Sequence, residues 1–267
     1  MIIDFHAHAF PDNLAQKAIR LLTDSIDNLY PPVSDGTISG LLQKMDEWDI
    51  DISVVLPIVT KQSQTISLNE WAAGVQTEYP GRIISFGSIF PHTDDYMRDI
   101  DFVAGLGLKG LKFHAEYQEF ILDDEKMLRI YDYALSKNLI LIHHAGFDPA
   151  FQEPFRSNPK MFARVIKEMK GGTIIAAHLG GHAQWDDVEE YLCGTDIYLD
   201  TSMGFEYFSK EQFMRIIKKH GADKILFASD APWSNAKTET EHIKSLPLTK
   251  SEKDAVLFGN AKRILRI

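Results

Sequence analysis

The chain has 267 residues, 45% of them hydrophobic and 25% charged. That balance excludes disordered, collagen-like and low-complexity classes and suffices to bury a large core. Lys and Arg number 28 against 38 Asp and Glu, and the resulting charge of −10 repels phosphate backbones and anionic bilayers, so neither nucleic acid nor membrane is expected as a partner.

The segment Met1–His6 has no basic n-region and no cleavage site, and no apolar run approaches the roughly 18 residues of a membrane span. The single Cys193 can form no internal disulfide and fits a reducing compartment. A cytoplasmic protein acting on a small molecule is the expectation, and a homo-oligomer is compatible with it.

Short β-branched runs predict strands at Ile2–His8, Ile52–Ile58, Ile83–Ile89, Gly107–His114, Leu139–His144, Thr173–His178, Ile197–Thr201 and Lys224–Asp230. Helical spacing lies between them, as in Glu125, Leu128, Tyr131 and Leu135, or Phe162, Val165, Ile166 and Met169. Gly and Pro mark the junctions at Tyr79-Pro80-Gly81, Gly171-Gly172 and His220-Gly221. Alternating strand and helix means a parallel sheet with covered faces, and eight such units in about 250 residues close into a (β/α)8 TIM barrel. An open doubly wound sheet is the alternative, but no G-x-G-x-x-G follows the first strand. With no linker or repeat in sight, residues 1–267 read as one domain. The longest irregular stretch, Thr23 to Thr37, reads either as a lid over the chemical face or as a solvated excursion.

Histidine falls at strand end after strand end. In Asp4-Phe5-His6-Ala7-His8 alternation puts His6 and His8 on one face, with Asp4 beside them, where two imidazoles can grip one metal ion. In Ile142-His143-His144-Ala145-Gly146 only one histidine can face the barrel axis. His144, the last residue before the turn, is the inward one, and His143 becomes a satisfied structural residue against the helices. His178 ends strand six, facing inward with Ala176, and is followed by Leu179-Gly180-Gly181, which lets a substrate approach the backbone. His182 lies beyond, where the next helix begins. Asp230 ends strand eight on the face of Ala228, and zinc-like cations accept three imidazoles and one carboxylate.

Strand four puts Lys112 and His114 on one inward face. A buried lysine needs a partner, and two are open: an ion pair with an inward carboxylate such as Asp200, or carboxylation to bridge two metals. Phe147, Phe151, Phe155, Trp185 and Trp233 follow strand ends and can serve as pocket walls or as ordinary packing.

In their order along the chain, Asp4-Phe5-His6-Ala7-His8, His144-Ala145-Gly146, Ala177-His178-Leu179-Gly180-Gly181, Ser229-Asp230-Ala231-Pro232 and Phe258-Gly259-Asn260-Ala261 resemble the amidohydrolase superfamily. They are most similar to the amidohydrolase-related branch that includes aminocarboxymuconate-semialdehyde decarboxylase. The resemblance implies a distorted barrel holding one divalent metal ion, usually Zn2+, on His6, His8, His144 and Asp230. It also implies a catalytic His178 beside the ion. TatD-type nucleases share the opening H-x-H but carry a glutamate at strand four, where this chain has Lys112 and His114.

The activity expected first is metal-dependent hydrolysis of a small amide, lactone or carboxylate. Metal-activated water would lose its proton to Asp230, and His178 would stabilise the developing oxyanion. Lys112 and His114 would bind the substrate. The alternative is a metal-dependent non-oxidative decarboxylase of a small unsaturated or aromatic acid, with His178 moving protons. A non-catalytic, metal-stabilised binding protein is the third reading.

Overall fold

The computed structural model describes every residue except Lys170 and Glu206. Eight strands alternate with helices: β1 (Ile3–Ala7), β2 (Ile52–Val55), β3 (Ile83–Ser85), β4 (Gly110–Phe113), β5 (Ile140–His143), β6 (Ile174–Ala176), β7 (Tyr198–Asp200) and β8 (Ile225–Leu226). All neighbours run parallel, in one sheet β1-β2-β3 and another β4-β5-β6-β7-β8. Backbone hydrogen bonds join the two sheets at both seams. Phe5 N donates to Phe227 O at 2.9 Å and Asp230 N to His6 O at 2.8 Å. At the other seam Gly87 N donates to Gly110 O and Lys112 N to Gly87 O, each at 2.8 Å. The architecture is the expected (β/α)8 barrel, distorted where the seams carry single bridges in place of ladders.

Two apolar layers sort the strand residues. Ile3, Phe5, Val54, Leu56, Phe86, Ile142, Ile175, Leu226 and Ala228 fill the barrel, while Val55, Leu111, Phe113, Leu141, Ala176, Leu199 and Phe227 pack against the helices. Alternation follows within β4, β5 and β8, so Lys112, His144 and Asp230 point to the axis as expected.

Two expectations from strict alternation fail. Phe5 faces inward, so alternation alone would turn His6 outward. The register shifts between Asp4 and Ala7, however, where three steps on β1 oppose two on β2. This extra residue brings His6 and His8 to the axis and takes Asp4 away from them. Ala176 faces the helices, not the axis. His178 reaches the interior because the chain leaves β6 into left-handed backbone, with φ of 56° at His178 and 53° at Leu179.

Strand eight is shorter than Lys224–Asp230. Phe227 N donates to Val256 O at 2.9 Å, and Ala228 exchanges hydrogen bonds with the Thr201 hydroxyl at 3.0 and 3.1 Å. A side chain and a neighbouring helix thus take the place of the ladder.

The outer layer comprises α1 (Asp12–Ser25), α2 (Ile38–Glu47), α3 (Thr65–Glu78), α4 (Tyr96–Gly105), α5 (Glu125–Ser136), α6 (Pro159–Glu168), α7 (Trp185–Tyr191), α8 (Lys210–His220), α9 (Ala236–Ser245), α10 (Lys250–Asp254) and α11 (Asn260–Leu265). Polar residues start several of them: the side chains of Thr37, Asn158 and Ser209 cap α2, α6 and α8, with Pro159 opening α6. The Asn260 amide, fully buried, donates to Ala222 O and Ile225 O at 2.7 Å each and pins α11 to the start of β8. No described helix is long and apolar enough to cross a membrane.

Asp4 fastens the β1–β8 seam. Its carboxylate accepts from Ser229 N at 2.9 Å, the Ser229 hydroxyl at 2.6 Å and His6 N at 3.2 Å, all in the dry interior. Asp4→Ala strands these donors, and an unpaired buried donor costs about 1–3 kcal/mol. The expected result is a Tm lower by roughly 5–10 °C in calorimetry. An unchanged Tm would show that the seam holds without this carboxylate.

Candidate active site

A cavity of about 450 Å³ opens at the C-terminal ends of the strands. His6, His8, Lys112, His114, His144, His178 and Asp230, singled out from the sequence, all line it. Around His6 and His8 three acceptors converge. His6 Nε2 and His8 Nε2 are 3.1 Å apart, and Asp230 Oδ1 lies 3.3 Å from the first and 3.1 Å from the second.

Hydrogen bonds on the far side of each ring decide which nitrogen carries the proton. His6 Nδ1 donates to Asp200 Oδ2 at 2.9 Å, and His8 Nδ1 to Leu56 O at 2.8 Å. His178 Nδ1 faces Ser202 O at 3.3 Å, so His178 Nε2 accepts from His144 Nδ1 at 3.0 Å. The Nε2 atoms of His6, His8 and His144 therefore all present lone pairs. His144 Nε2 and Asp230 Oδ1 are buried without any hydrogen-bond partner.

Lone pairs gathered at this spacing repel one another and are stabilised by a cation. The donor set of imidazole nitrogens and one carboxylate fits a zinc-like divalent ion. His6, His8 and Asp230 form one group able to hold it, and a second group, His114, His144 and Asp148, lies alongside. His144 stacks on His114 with ring centres 4.1 Å apart, and His114 Nε2 meets Asp148 Oδ2 at 3.2 Å. The structure thus brings His144 into the same cavity but groups it with His114.

Burial pushes the imidazoles of His6, His114, His144 and His178 well below their ordinary range, which keeps them neutral. Burial also pulls Lys112 down to about 8, opposed by Asp230 and Asp200. Lys112 Nζ sits 3.0 Å from His6 Nε2. The expected ion pair with Asp200 is not formed, because that carboxylate is taken up elsewhere. Asp200 Oδ1 accepts from His178 N at 3.0 Å, Ser202 N at 3.1 Å and the Ser202 hydroxyl at 2.5 Å. These bonds hold the left-handed turn at His178, a conformation costing about 1–3 kcal/mol for a non-glycine residue.

The remaining sequence expectations divide. His143 lies in the helix layer, stacked on Phe113 and edge-on to Tyr131, but neither ring nitrogen has a hydrogen bond. Packing, not polar satisfaction, places it, and burial drives it down to about 3. His182 does not begin a helix. It bridges to Gly146, where any side chain would strike the backbone of Gly181 and His182, and it lines the cavity. Phe147 and Trp233 are walls, whereas Phe151, Phe155 and Trp185 are not. Of the irregular stretch, Ile26 and Tyr30 reach the cavity, while Thr23 to Ser25 complete α1.

Sequence reading missed Ser202, Tyr117, Asp148 and the roles of Asp200. It missed above all the stripe Leu14, Ala18, Leu21 and Leu22 of α1, which walls the cavity.

A family model described as an amidohydrolase matches residues 3–267. No curated protein sequence matches the chain. Among solved structures, 5-carboxyvanillate decarboxylase from Sphingomonas paucimobilis is similar over 100% of this chain and 99% of its own, with 18% identity and a TM-score of 0.73. An uncharacterised TIM-barrel protein from Bordetella bronchiseptica is similar over 99% and 98%, with 19% identity and a TM-score of 0.80. A probable 2-pyrone-4,6-dicarboxylic acid hydrolase from Acinetobacter baumannii is similar over 100% and 99%, with 14% identity and a TM-score of 0.70. These likenesses concern the fold.

Two substitutions separate polar support from packing. Asp200→Ala orphans His6 Nδ1 and the donors of His178 and Ser202, so a loss of about 3 kcal/mol and a Tm lower by roughly 6–12 °C are expected. His143→Phe keeps the ring stack and removes two unpaired nitrogens, so its Tm should stay within about 2 °C of the parent or exceed it. A fall in Tm for His143→Phe as large as that for Asp200→Ala would show that His143 is held by a hydrogen bond.

Proposed function

Because the chain belongs to the amidohydrolase family, whose model covers residues 3–267, we propose that it is a metal-dependent decarboxylase of a small unsaturated or aromatic acid. The observation that carries this reading is the cavity itself. Its walls are largely apolar, and its floor gathers unpaired acceptors beside the ammonium of Lys112. A carboxylate drawn to that floor leaves bulk water, while its body rests against hydrocarbon. Loss of carbon dioxide followed by protonation of the vacated carbon removes the anion and with it the cost of holding a charge there.

His6, His8, His144 and Asp230 would hold the ion, with zinc our assignment. The bound ion supplies Lewis-acid polarisation of the substrate's oxygens. Lys112 orients the carboxylate and His114 contacts the substrate body. The bond between the carboxyl carbon and its neighbour breaks, and its electron pair stays on the neighbour. Carbon dioxide leaves, and a proton takes its place. The proton comes from solvent, and His178, buried at the cavity wall beside His144, is the residue we assign to passing it to the vacated carbon. The lone thiol of Cys193 fits a reducing, cytoplasmic setting for this enzyme.

One observation favours hydrolysis as a second reading. Asp230 Oδ1 lies against both His6 and His8 and has no hydrogen bond of its own. A carboxylate so placed can take a proton from an attacking water.

Unsaturated and aromatic acids carrying 13C in the carboxyl group, incubated in D2O, should release labelled carbon dioxide in step with substrate loss and gain one deuterium at the vacated carbon. Hydrolysis products without carbon dioxide would install the second reading, and no turnover of either kind would overturn both. Elemental analysis of the purified protein should find about one divalent ion per chain. His6→Ala should lose it, while His178→Asn should keep it and lose at least about 100-fold in kcat. Two stoichiometric ions would replace the single-ion site.

A further inference from the structure

Most of the cavity's walls offer an anion no ammonium or guanidinium. Among the described residues that line it, Lys112 is the sole lysine or arginine, and it is buried at the floor with 1% of its surface exposed. The wall supplied by α1 is hydrocarbon. Leu14, Ala18, Leu21 and Leu22 follow the spacing of one helical face, and Ile26 continues it past the helix end.

This stripe serves the cavity rather than the core. Only Ala15 of α1 is buried, whereas Leu14 and Leu21 keep 50% and 59% of their surface exposed while lining the opening. The apolar wall therefore runs outward to the mouth, and the lone cation lies at the opposite end. The carboxylates that line the cavity, Asp148 and Asp230, offer a second carboxylate no partner either.

Size narrows the choice further. At about 450 Å³ the cavity is roughly three times the ~150 Å³ that suffices for benzene in an apolar cavity. A single ring with its carboxylate leaves much of the α1 wall uncovered.

We infer that the substrate is a monocarboxylic acid whose apolar body extends beyond one ring, carboxylate toward Lys112 and hydrocarbon against α1. A dicarboxylate of the same shape binds more weakly, because its distal charge loses water against the half-buried hydrocarbon of Ala18 and Leu22 with no cation to pair it. The similar structure from Acinetobacter baumannii is that of a probable dicarboxylic acid hydrolase, so the same fold is here given a different selectivity. The inference rests on the proposed reading of the site, whose floor it takes as the seat of the carboxylate.

Calorimetric titration tests it with three acids: benzoate, 4-phenylbutyrate and 4-phenylbutyrate carrying a second carboxylate para on the ring. Each is titrated into zinc-loaded and into metal-free protein. In both, 4-phenylbutyrate should bind at least about tenfold more tightly than benzoate, from the added hydrocarbon burial. It should also bind at least about tenfold more tightly than the diacid, whose second charge is unpaired.

Leu22→Lys gives that charge a partner and should narrow the gap between diacid and monoacid at least about fivefold. Leu21→Lys, at an exposed position, repeats the test should the first variant melt early. A diacid that binds parent protein as tightly as the monoacid, a gap unmoved by either variant, or no binding of any of the three acids overturns the inference. Because binding is read without turnover, the two claims separate. The expected order, with no carbon dioxide from the labelled unsaturated and aromatic acids, would fault the decarboxylase reading alone. A reversed order, with carbon dioxide released from those labelled acids, would fault the inference alone.

Discussion

The site depends on one buried carboxylate. Asp200 sits at the end of β7, fully removed from water, and burial raises its pKa. Four donors offset that cost: His6 Nδ1 on one oxygen, and His178 N, Ser202 N and the Ser202 hydroxyl on the other. The same bonds that stabilise the charge fix which nitrogen of His6 carries its proton, and they hold His178 in a backbone conformation it would otherwise avoid. Without this anchor, neither the lone pair of His6 nor the inward turn after β6 is secured.

The hydrogen-bond chain then passes from ring to ring. His178 gives its Nδ1 proton to a carbonyl and therefore accepts from His144, which leaves His144 Nε2 bare. His8 is fixed independently by Leu56 O. The proton positions follow from backbone carbonyls and one carboxylate, which belong to the barrel wall. The wall thus sets the electronic state of the floor before any ligand arrives.

Much of this was legible in the sequence. All eight strands were, because β-branched runs and helical spacing alternate so regularly. Parity within β5 separated His144 from His143 correctly as to face. What strand-by-strand reading lacks is knowledge of neighbours. The extra residue between Asp4 and Ala7 exists only relative to β2, so it took Asp4 from the face of His6 without any local sign. Asp200 looked like a partner for Lys112 because both are inward, yet its real partners come from β1, the turn after β6 and Ser202 just beyond β7. The period of Leu14, Ala18, Leu21 and Leu22 is plain in the sequence, but periodicity says only that a face is apolar, not whether it meets a core or a cavity.

That last distinction bears on how such a protein can change. Most residues that shape a binding site also hold the molecule together, so altering them risks unfolding. Here α1 contributes little to the packed interior, with Ala15 as its one buried residue, while its exposed leucines border the cavity mouth. Drift along this helix can therefore rewrite which molecules are admitted at small thermodynamic expense, leaving the barrel and its reactive floor untouched. The architecture separates a tightly packed floor from an adjustable rim within one polypeptide.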